Sequence, residues 1–237
     1  MDCTPLSDST ETLLHCDLKL QSYPLIVHVY IPQTLEKETA KLFVHFHGHN
    51  LDGYSHFDKR WGDYGQYLVN SQASAILAIP ESNGNCATYD QFFADQKRTD
   101  QFFSELEKKL EITSKDLVLS GHSGAYRVLN RLMGFANLQD EYLSHVRALG
   151  MFDATYGATP EITKYVQTNN ILFYDAFVTG PKETTEDLSR ALMKQLKGDN
   201  VFFVPVEGQS SESLLDQHFM TLKRGSLEVF FSKASAL

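Results

Sequence analysis

The chain has 237 residues, of which 42% are hydrophobic and 22% are charged, and its formal net charge at pH 7 is −9. This apolar content is enough for a sizeable core and excludes a disordered chain. Acidic and basic residues are mixed throughout the chain, so we expect neither nucleic acid nor an anionic membrane surface as the main partner. No apolar stretch approaches the length of a transmembrane span, so we expect no membrane-spanning segment.

Residues 1–20 are polar and acidic, without the basic and apolar regions of a secretory signal. We therefore expect a cytoplasmic protein, or a secreted or periplasmic one if the chain is a truncated mature form. The three cysteines, Cys3, Cys16 and Cys86, are scattered and form no C-x-x-C pair. We interpret them as ordinary thiols rather than as a disulfide framework or a zinc site, which favours a reducing compartment.

Short apolar runs alternate along the chain with longer amphipathic ones, which is typical of a mainly parallel sheet covered by helices. The predicted strands span residues 25–31, 42–47, 74–79, 117–120, 148–152, 171–177 and 201–206. The predicted helices span residues 95–110, 125–135, 185–197 and 226–234. The sequence thus predicts one doubly wound α/β domain over residues 1–237, in which residues 1–24 form an antiparallel edge segment.

Residues 116–127 read DLVLSGHSGAYR, a short apolar strand followed by a Gly-His-Ser-Gly turn and a helix-compatible segment. This order is typical of a nucleophile elbow, with Ser123 at the tip of a sharp strand-to-helix turn. Small residues surround such a serine because its backbone is strained and the strand and helix pass close together. The usual G-x-S-x-G pattern ends in glycine, whereas this chain has Ala125, which is still small.

A serine hydroxyl needs a base to remove its proton, and the base needs a group that orients it. Only His145 and His218 follow the elbow in the sequence. His145 precedes a predicted strand, which places it at the opposite end of the sheet from Ser123. His218 follows a Ser- and Gly-containing segment, residues 207–217, that we interpret as a loop after the last predicted strand. His218 is therefore the candidate base.

Two aspartates are candidates for the acid that orients the base. Asp153 directly follows the predicted strand 148–152, whereas Asp175 lies within the strand 171–177. Catalytic residues of doubly wound sheets lie on loops at the carboxyl ends of strands, which favours Asp153. Asp175 remains the alternative acid, with Glu183 a more distant third.

Backbone N–H groups must also stabilise the oxyanion that forms during acyl transfer. One such group belongs to Gly124, the residue after the candidate nucleophile. Residues 41–50, KLFVHFHGHN, supply the second from the loop after an earlier strand. We expect Gly48 and His49 to provide it, because glycine lets the backbone turn its amides toward the site.

Together, HFHGHN, GHSGAYR, Asp153 and His218 resemble the α/β-hydrolase superfamily in their order along the chain. The resemblance extends from about residue 25 to the C-terminus. It implies an acyl-enzyme on Ser123, hydrolysed by water that His218 activates, with no cofactor. The implied substrate is a carboxylic ester or amide of a small-molecule or peptide-like compound. The residues expected to line its binding site are His47, His122, Arg127 and Tyr156.

Besides an acyltransferase, in which a nucleophile other than water takes the acyl group, three alternatives stay open from the sequence. Arg127 lies one turn past Ser123 and has the fork geometry to hold a substrate carboxylate, which would suit a peptidase or amidase. A salt-bridged helix arginine is the simpler interpretation of Arg127.

A metal-dependent hydrolase is a second alternative, since alternate residues of a strand share a face and chelate zinc. Its ligands would be His45, His47 and His49, with Asp52 and His56 nearby. The third is a non-catalytic binding protein of the same fold.

Overall fold

The computed structural model describes residues 2–6, 13–36, 39–48, 64–84, 86–180, 185–208, 213–223 and 226–237. Within these residues the strands are β1 (Asp2–Leu6), β2 (Leu13–Lys19), β3 (Ile26–Pro32), β4 (Lys41–Phe46), β5 (Ala75–Pro80), β6 (Leu117–His122), β7 (Val146–Phe152), β8 (Leu172–Thr179) and β9 (Val201–Glu207). They form a sheet in the order β1-β2-β3-β5-β4-β6-β7-β8-β9. Every strand predicted from the sequence is confirmed.

The helices of the described residues are α1 (Tyr64–Asn70), α2 (Ala87–Phe92), α3 (Gln96–Leu110), α4 (Tyr126–Ala136), α5 (Pro160–Thr168), α6 (Thr185–Gln195), α7 (Leu214–Lys223) and α8 (Ser226–Ser235). Helices α1, α2, α5 and α7 have no counterpart among the predicted helices. In the part of the chain that the structure describes, each helix is too short or too polar to cross a membrane.

The sheet is antiparallel from β1 through β2 and β3 to β5 and parallel from β5 through β4, β6, β7 and β8 to β9. The predicted doubly wound, mainly parallel sheet is therefore confirmed. Its central strands β5 and β6 are buried along their whole length without alternation, because helices cover both faces. Phe102 of α3 and Leu129 of α4 pack in one core cluster, and Leu68 of α1 and Phe230 of α8 pack in a second.

The interpretation of all three cysteines as ordinary thiols is wrong for Cys3 and Cys16. These residues lie opposite each other in the β1–β2 pair, with Cα atoms 4.1 Å apart, and are joined by a disulfide. The sequence analysis does not predict β1, so it does not bring the two sulfurs together. Cys86 is the free thiol, and burial raises its pKa to about 12. The inference of a reducing compartment from the cysteines therefore loses its basis.

The interpretation of residues 207–217 as a loop is also wrong at its C-terminal end. Helix α7 begins at Leu214, so His218 lies in the second turn of a helix. Ser213 precedes the helix, and its hydroxyl oxygen accepts a hydrogen bond from the backbone N–H of Asp216 at 3.1 Å while its O–H donates to the Asp216 carboxylate at 2.6 Å. This reciprocal arrangement is a capping motif that fixes where the helix starts.

Candidate active site

Ser123 directly follows β6 and occupies a left-handed backbone conformation with φ 56°. Such a conformation is strained for a non-glycine residue and turns the chain sharply from the strand toward α4. The turn also forces close packing, because a Cβ at Gly121 would lie 2.8 Å from Cβ of Ala125 and 3.0 Å from Cδ1 of Leu129. The small residues of the motif are thus required by the approach of helix to strand.

Gly48 follows β4, the neighbour of β6 in the sheet, and its backbone lies against Ser123. A Cβ built on Gly48 would be 2.5 Å from Cβ and 3.1 Å from Oγ of Ser123. Any side chain there would displace the serine. Gly124 is buried in the short 3-10 turn that starts at Ser123. His49, the other residue predicted to form the oxyanion site, lies outside the described residues.

Asp153 directly follows β7, the other neighbour of β6. The register pairs His122 with Phe152, so Ser123 and Asp153 occupy equivalent positions just beyond the ends of adjacent parallel strands. Parallel neighbours are about 4.8 Å apart. Asp153 is fully buried and, like Ser123, has a positive φ, 43°. The two residues are thus the strained first residues of two neighbouring turns at one edge of the sheet.

The structure brings Asp153 and His218 into direct contact. Nδ1 of His218 donates to Oδ2 of Asp153, and the hydroxyl of Thr185 donates to Oδ1. The Tyr156 hydroxyl lies 3.4 Å from Oδ2 of Asp153 and 3.2 Å from Nδ1 of His218. The carboxylate therefore fixes the imidazole through Nδ1, and the His218 side chain remains 15% exposed. Thr185 carries no sequence signal, because it lies 32 residues from Asp153 at the start of a different helix.

His122 links this pair to the serine turn. Its Nε2–H donates to the backbone carbonyl of His218 at 3.1 Å, and its ring lies 4.3 Å from the ring of His218 and 4.9 Å from that of Phe219. Burial lowers the pKa of His122 well below its usual value, with the nearby His218 as the next cause. His122, predicted to contact substrate, is therefore a buried neutral ring that supports His218.

Asp175, the alternative acid, points to different partners. It lies inside β8 and is fully buried, with the Thr155 hydroxyl 3.4 Å from both of its carboxylate oxygens. Burial raises the pKa of Asp175 to about 7, the hydroxyls of Ser189 and Thr155 oppose this shift, and the charge of Asp153 adds to it. Glu183 lies outside the described residues.

Arg127 is held by a carboxylate of the protein itself. Its Nη2 lies 2.8 Å from Oδ2 of Asp90, and its Nε donates to Oδ1 of Asp90 at 3.3 Å. Arg131 also donates to the backbone carbonyl of Asp90. The bidentate fork that would grip a substrate carboxylate is thus engaged within the fold, as the simpler interpretation of Arg127 expects.

His45 of β4 and His47, which directly follows β4, make structural hydrogen bonds. Nδ1 of His45 bonds Oγ of Ser120 at 2.9 Å, and burial lowers the pKa of His45 to about 3. In His47, Nδ1–H donates to the Gly48 carbonyl at 2.8 Å and Nε2 accepts from the Ser82 N–H at 2.9 Å. Burial lowers the pKa of His47 to about 4.

Both ring nitrogens of His47 bond backbone groups, so the ring positions the backbone at Gly48. The remaining members of the metal cluster predicted from the sequence lie outside the described residues, namely His49, Asp52 and His56.

The amino-acid sequence matches no protein-family model and no curated protein. Solved structures are similar in fold. An S-formylglutathione hydrolase from Agrobacterium tumefaciens is 10% identical, with a TM-score of 0.58, over 98% of this chain and 100% of that one. The feruloyl esterase module from Clostridium thermocellum is 16% identical, with a TM-score of 0.60, over 98% and 94%. Carboxyl esterase 2 from Tuber melanosporum is 13% identical, with a TM-score of 0.62, over 98% and 88%.

These neighbours are hydrolases and esterases of the α/β-hydrolase fold, and this chain has the same fold. The resemblance inferred from the sequence is thereby confirmed at the level of fold.

Proposed function

We propose that this protein is a serine hydrolase that cleaves carboxylic esters through an acyl-enzyme on Ser123. The observation that carries the proposal is the pairing of His218 with the buried carboxylate of Asp153 beside the strained turn of Ser123. A histidine oriented in this way through Nδ1 presents Nε2 for proton transfer. The fold shared with esterases adds support at the level of architecture.

In the proposed reaction, Oγ of Ser123 attacks the ester carbonyl carbon while Nε2 of His218 takes the serine proton. The C–O bond to the alcohol then breaks, and His218 returns the proton to the leaving alkoxide. Water repeats the sequence against the acyl-enzyme and releases the acid. Asp153 keeps the imidazole in the required tautomer and stabilises the imidazolium that forms in each step.

The negative charge on the carbonyl oxygen needs N–H donors that are already in place. We assign this role to the backbone at Gly48 and Gly124, and we keep His49 as the sequence predicts it. The close approach of Gly48 to Ser123 supports the assignment, because it places bare backbone within reach of the reacting carbon. The His47 ring holds the Gly48 carbonyl and so fixes the orientation of this segment.

The proposal favours esters without a free carboxylate near the scissile bond. Recognition by Arg127 is the observation on which the peptidase or amidase alternative depends, and that side chain is paired with Asp90. Tyr156 is 38% exposed and lies beside His218, so among the described aromatic side chains it is well placed to contact a bound ester.

Labelling with a fluorophosphonate, read by intact mass, tests the nucleophile directly. We expect one adduct on the wild type and none on Ser123→Ala, with p-nitrophenyl acetate turnover lowered roughly ten-thousandfold or more. Ser120→Ala is the matched control, because this serine lies on β6, the strand that leads to Ser123, and its hydroxyl contacts His45 instead of the proposed site. Thermal unfolding of each variant checks that the fold is intact.

The proposal fails if Ser123→Ala keeps its turnover, or if the folded wild type takes up no adduct. If Ser123→Ala were labelled to the same extent as the wild type, the reactive nucleophile would be a residue other than Ser123.

A further inference from the structure

A second group of histidines lies on the antiparallel strands β2 and β3. His15 and Asp17 alternate along β2, so their side chains share one face of the strand. The register places His28 of β3 directly opposite Asp17. We propose that His15, Asp17 and His28 form a binding site for a divalent transition-metal ion of the zinc class.

The donor atoms are spaced as such an ion requires. Nδ1 of His28 and Nε2 of His15 lie 2.9 Å and 3.7 Å from Oδ1 of Asp17, and one donor atom from each residue falls within 4.8 Å of the others. Bonds of about 2.0–2.1 Å in a tetrahedron put ligand atoms about 3.3 Å apart. The two separations from Oδ1 of Asp17 bracket that value, so small rotations of the three side chains suffice for them to share one ion. Two imidazoles and a carboxylate also suit zinc and its neighbours better than magnesium or calcium.

Partners around the ligands orient them for this role. Nε2 of His28 lies 3.0 Å from Oε1 of Glu81, which directs Nδ1 toward Asp17. A carboxylate on the far nitrogen of a ligating histidine fixes its tautomer and raises its basicity. The ring of His15 stacks on Tyr30 at 4.9 Å between centroids, which fixes its plane. The cluster therefore has both the ligands and the supporting contacts of a metal centre.

Burial and access also fit. The two histidines are 5% and 0% exposed, whereas the Asp17 side chain is 39% exposed. An ion would enter past the carboxylate, and water would complete its coordination. Once bound, it joins β2 to β3 where the antiparallel strands meet the main sheet. This inference does not depend on the proposed esterase activity.

Titration of the purified, tag-free protein with Co²⁺ alone, followed by visible absorption, tests the site. Tetrahedral Co²⁺ gives intense d–d bands, and Zn²⁺ added afterwards should abolish them by displacement. We expect one saturating site, with binding that weakens as the pH falls because the histidines must lose their protons. Asp17→Asn should weaken binding at least about tenfold, and Glu81→Gln about 10-fold to 100-fold.

Asp116→Asn and His145→Gln are the controls, since these residues are of the same types and lie outside the cluster. They should bind Co²⁺ as the wild type does. Asp17→Asn is preferred to a His28 variant because the Asp17 side chain is partly exposed and its loss is tolerated more easily. The inference is overturned if the folded wild type shows no d–d bands, or if Asp17→Asn and Glu81→Gln bind as tightly as the controls. Either result would make the cluster a metal-free bridge of one histidine between two carboxylates.

Discussion

Asp153, just after β7, and Asp175, within the neighbouring parallel strand β8, are both fully buried, yet their surroundings differ. Asp153 comes after the end of β7, in a turn with positive φ, and bonds His218 and Thr185. Asp175 lies inside β8, opposite Met151, and contacts the Thr155 hydroxyl. In the part of the chain that the structure describes, two residues along the strand direction separate a carboxylate that contacts a histidine from one that does not.

The difference shows how position on a parallel sheet decides what a carboxylate does. Side chains just beyond the carboxyl ends of strands reach groups carried by other loops and helices, as Asp153 reaches α7. The carboxylate of Asp175, within β8, instead contacts the hydroxyl of Thr155 from the segment after β7. Burial is the largest cause of the raised pKa of Asp175, and among the described residues this carboxylate has no cationic partner.

The largest expected effect is on turnover. If Asp153 is the acid, Asp153→Asn should lower kcat for p-nitrophenyl acetate by roughly ten-thousandfold, because the amide favours the wrong imidazole tautomer. Asp175→Asn should stay within about tenfold of the wild type. Steady-state kinetics on both variants, with unfolding curves to establish that each is folded, make the comparison. A greater loss in Asp175→Asn would exchange the two roles.

The next effect is on stability. The pKa of Asp175 is raised to about 7 in the folded protein, against about 3.9 in an unfolded chain. Between these two pKa values, Asp175 keeps its proton in the folded state and loses it in the unfolded state. The stabilisation of the folded protein by protonated Asp175 is therefore complete below about pH 4 and is lost as the pH rises to 7. A shift of this size corresponds to at most about 4 kcal/mol.

Asparagine cannot ionise, so the stability of Asp175→Asn should not decline through this cause. Urea unfolding of wild type and variant at pH 5 and pH 8 measures the change in their difference, which is insensitive to a constant cost of the substitution. We expect the free energy of unfolding of the wild type, relative to that of the variant, to be lower at pH 8 than at pH 5. An equal difference at both pH values would show that Asp175 is ionised throughout.

The sequence predicts the parallel strands and the elbow because both depend on local patterns. The apolar runs are continuous, and the small residues around Ser123 are needed by the turn itself. It also predicts that Asp153 follows a strand, and the structure places it there. The capping pattern at Ser213 and Asp216 is a sequence signal for the start of α7, but the polar composition of residues 207–217 favours a loop.

Other features depend on register, which local patterns do not contain. Strand β1 reads DCTPL, which lacks apolar alternation and includes a proline, so neither the strand nor its pairing with β2 could be predicted. The Cys3–Cys16 disulfide and the approach of His28 to Asp17 both follow from such pairings. The contact of Thr185 with Asp153 depends on how α6 packs after β8, and no sequence spacing encodes it.

The smallest expected effect on turnover concerns the threonine hydroxyls that contact the two aspartates. Thr185→Val removes the hydroxyl that donates to Asp153 and keeps the side-chain shape, whereas Thr155→Val does the same beside Asp175. A hydrogen bond to a charged group contributes about 1.5–3 kcal/mol, and part of that loss is felt equally in the ground state. We therefore expect Thr185→Val to lower kcat about tenfold, with KM little changed, and Thr155→Val to leave both unchanged. Matched kinetics of the two variants measure the effect; equal losses would mean that general loosening of this edge, rather than the orientation of His218 by Asp153, limits turnover.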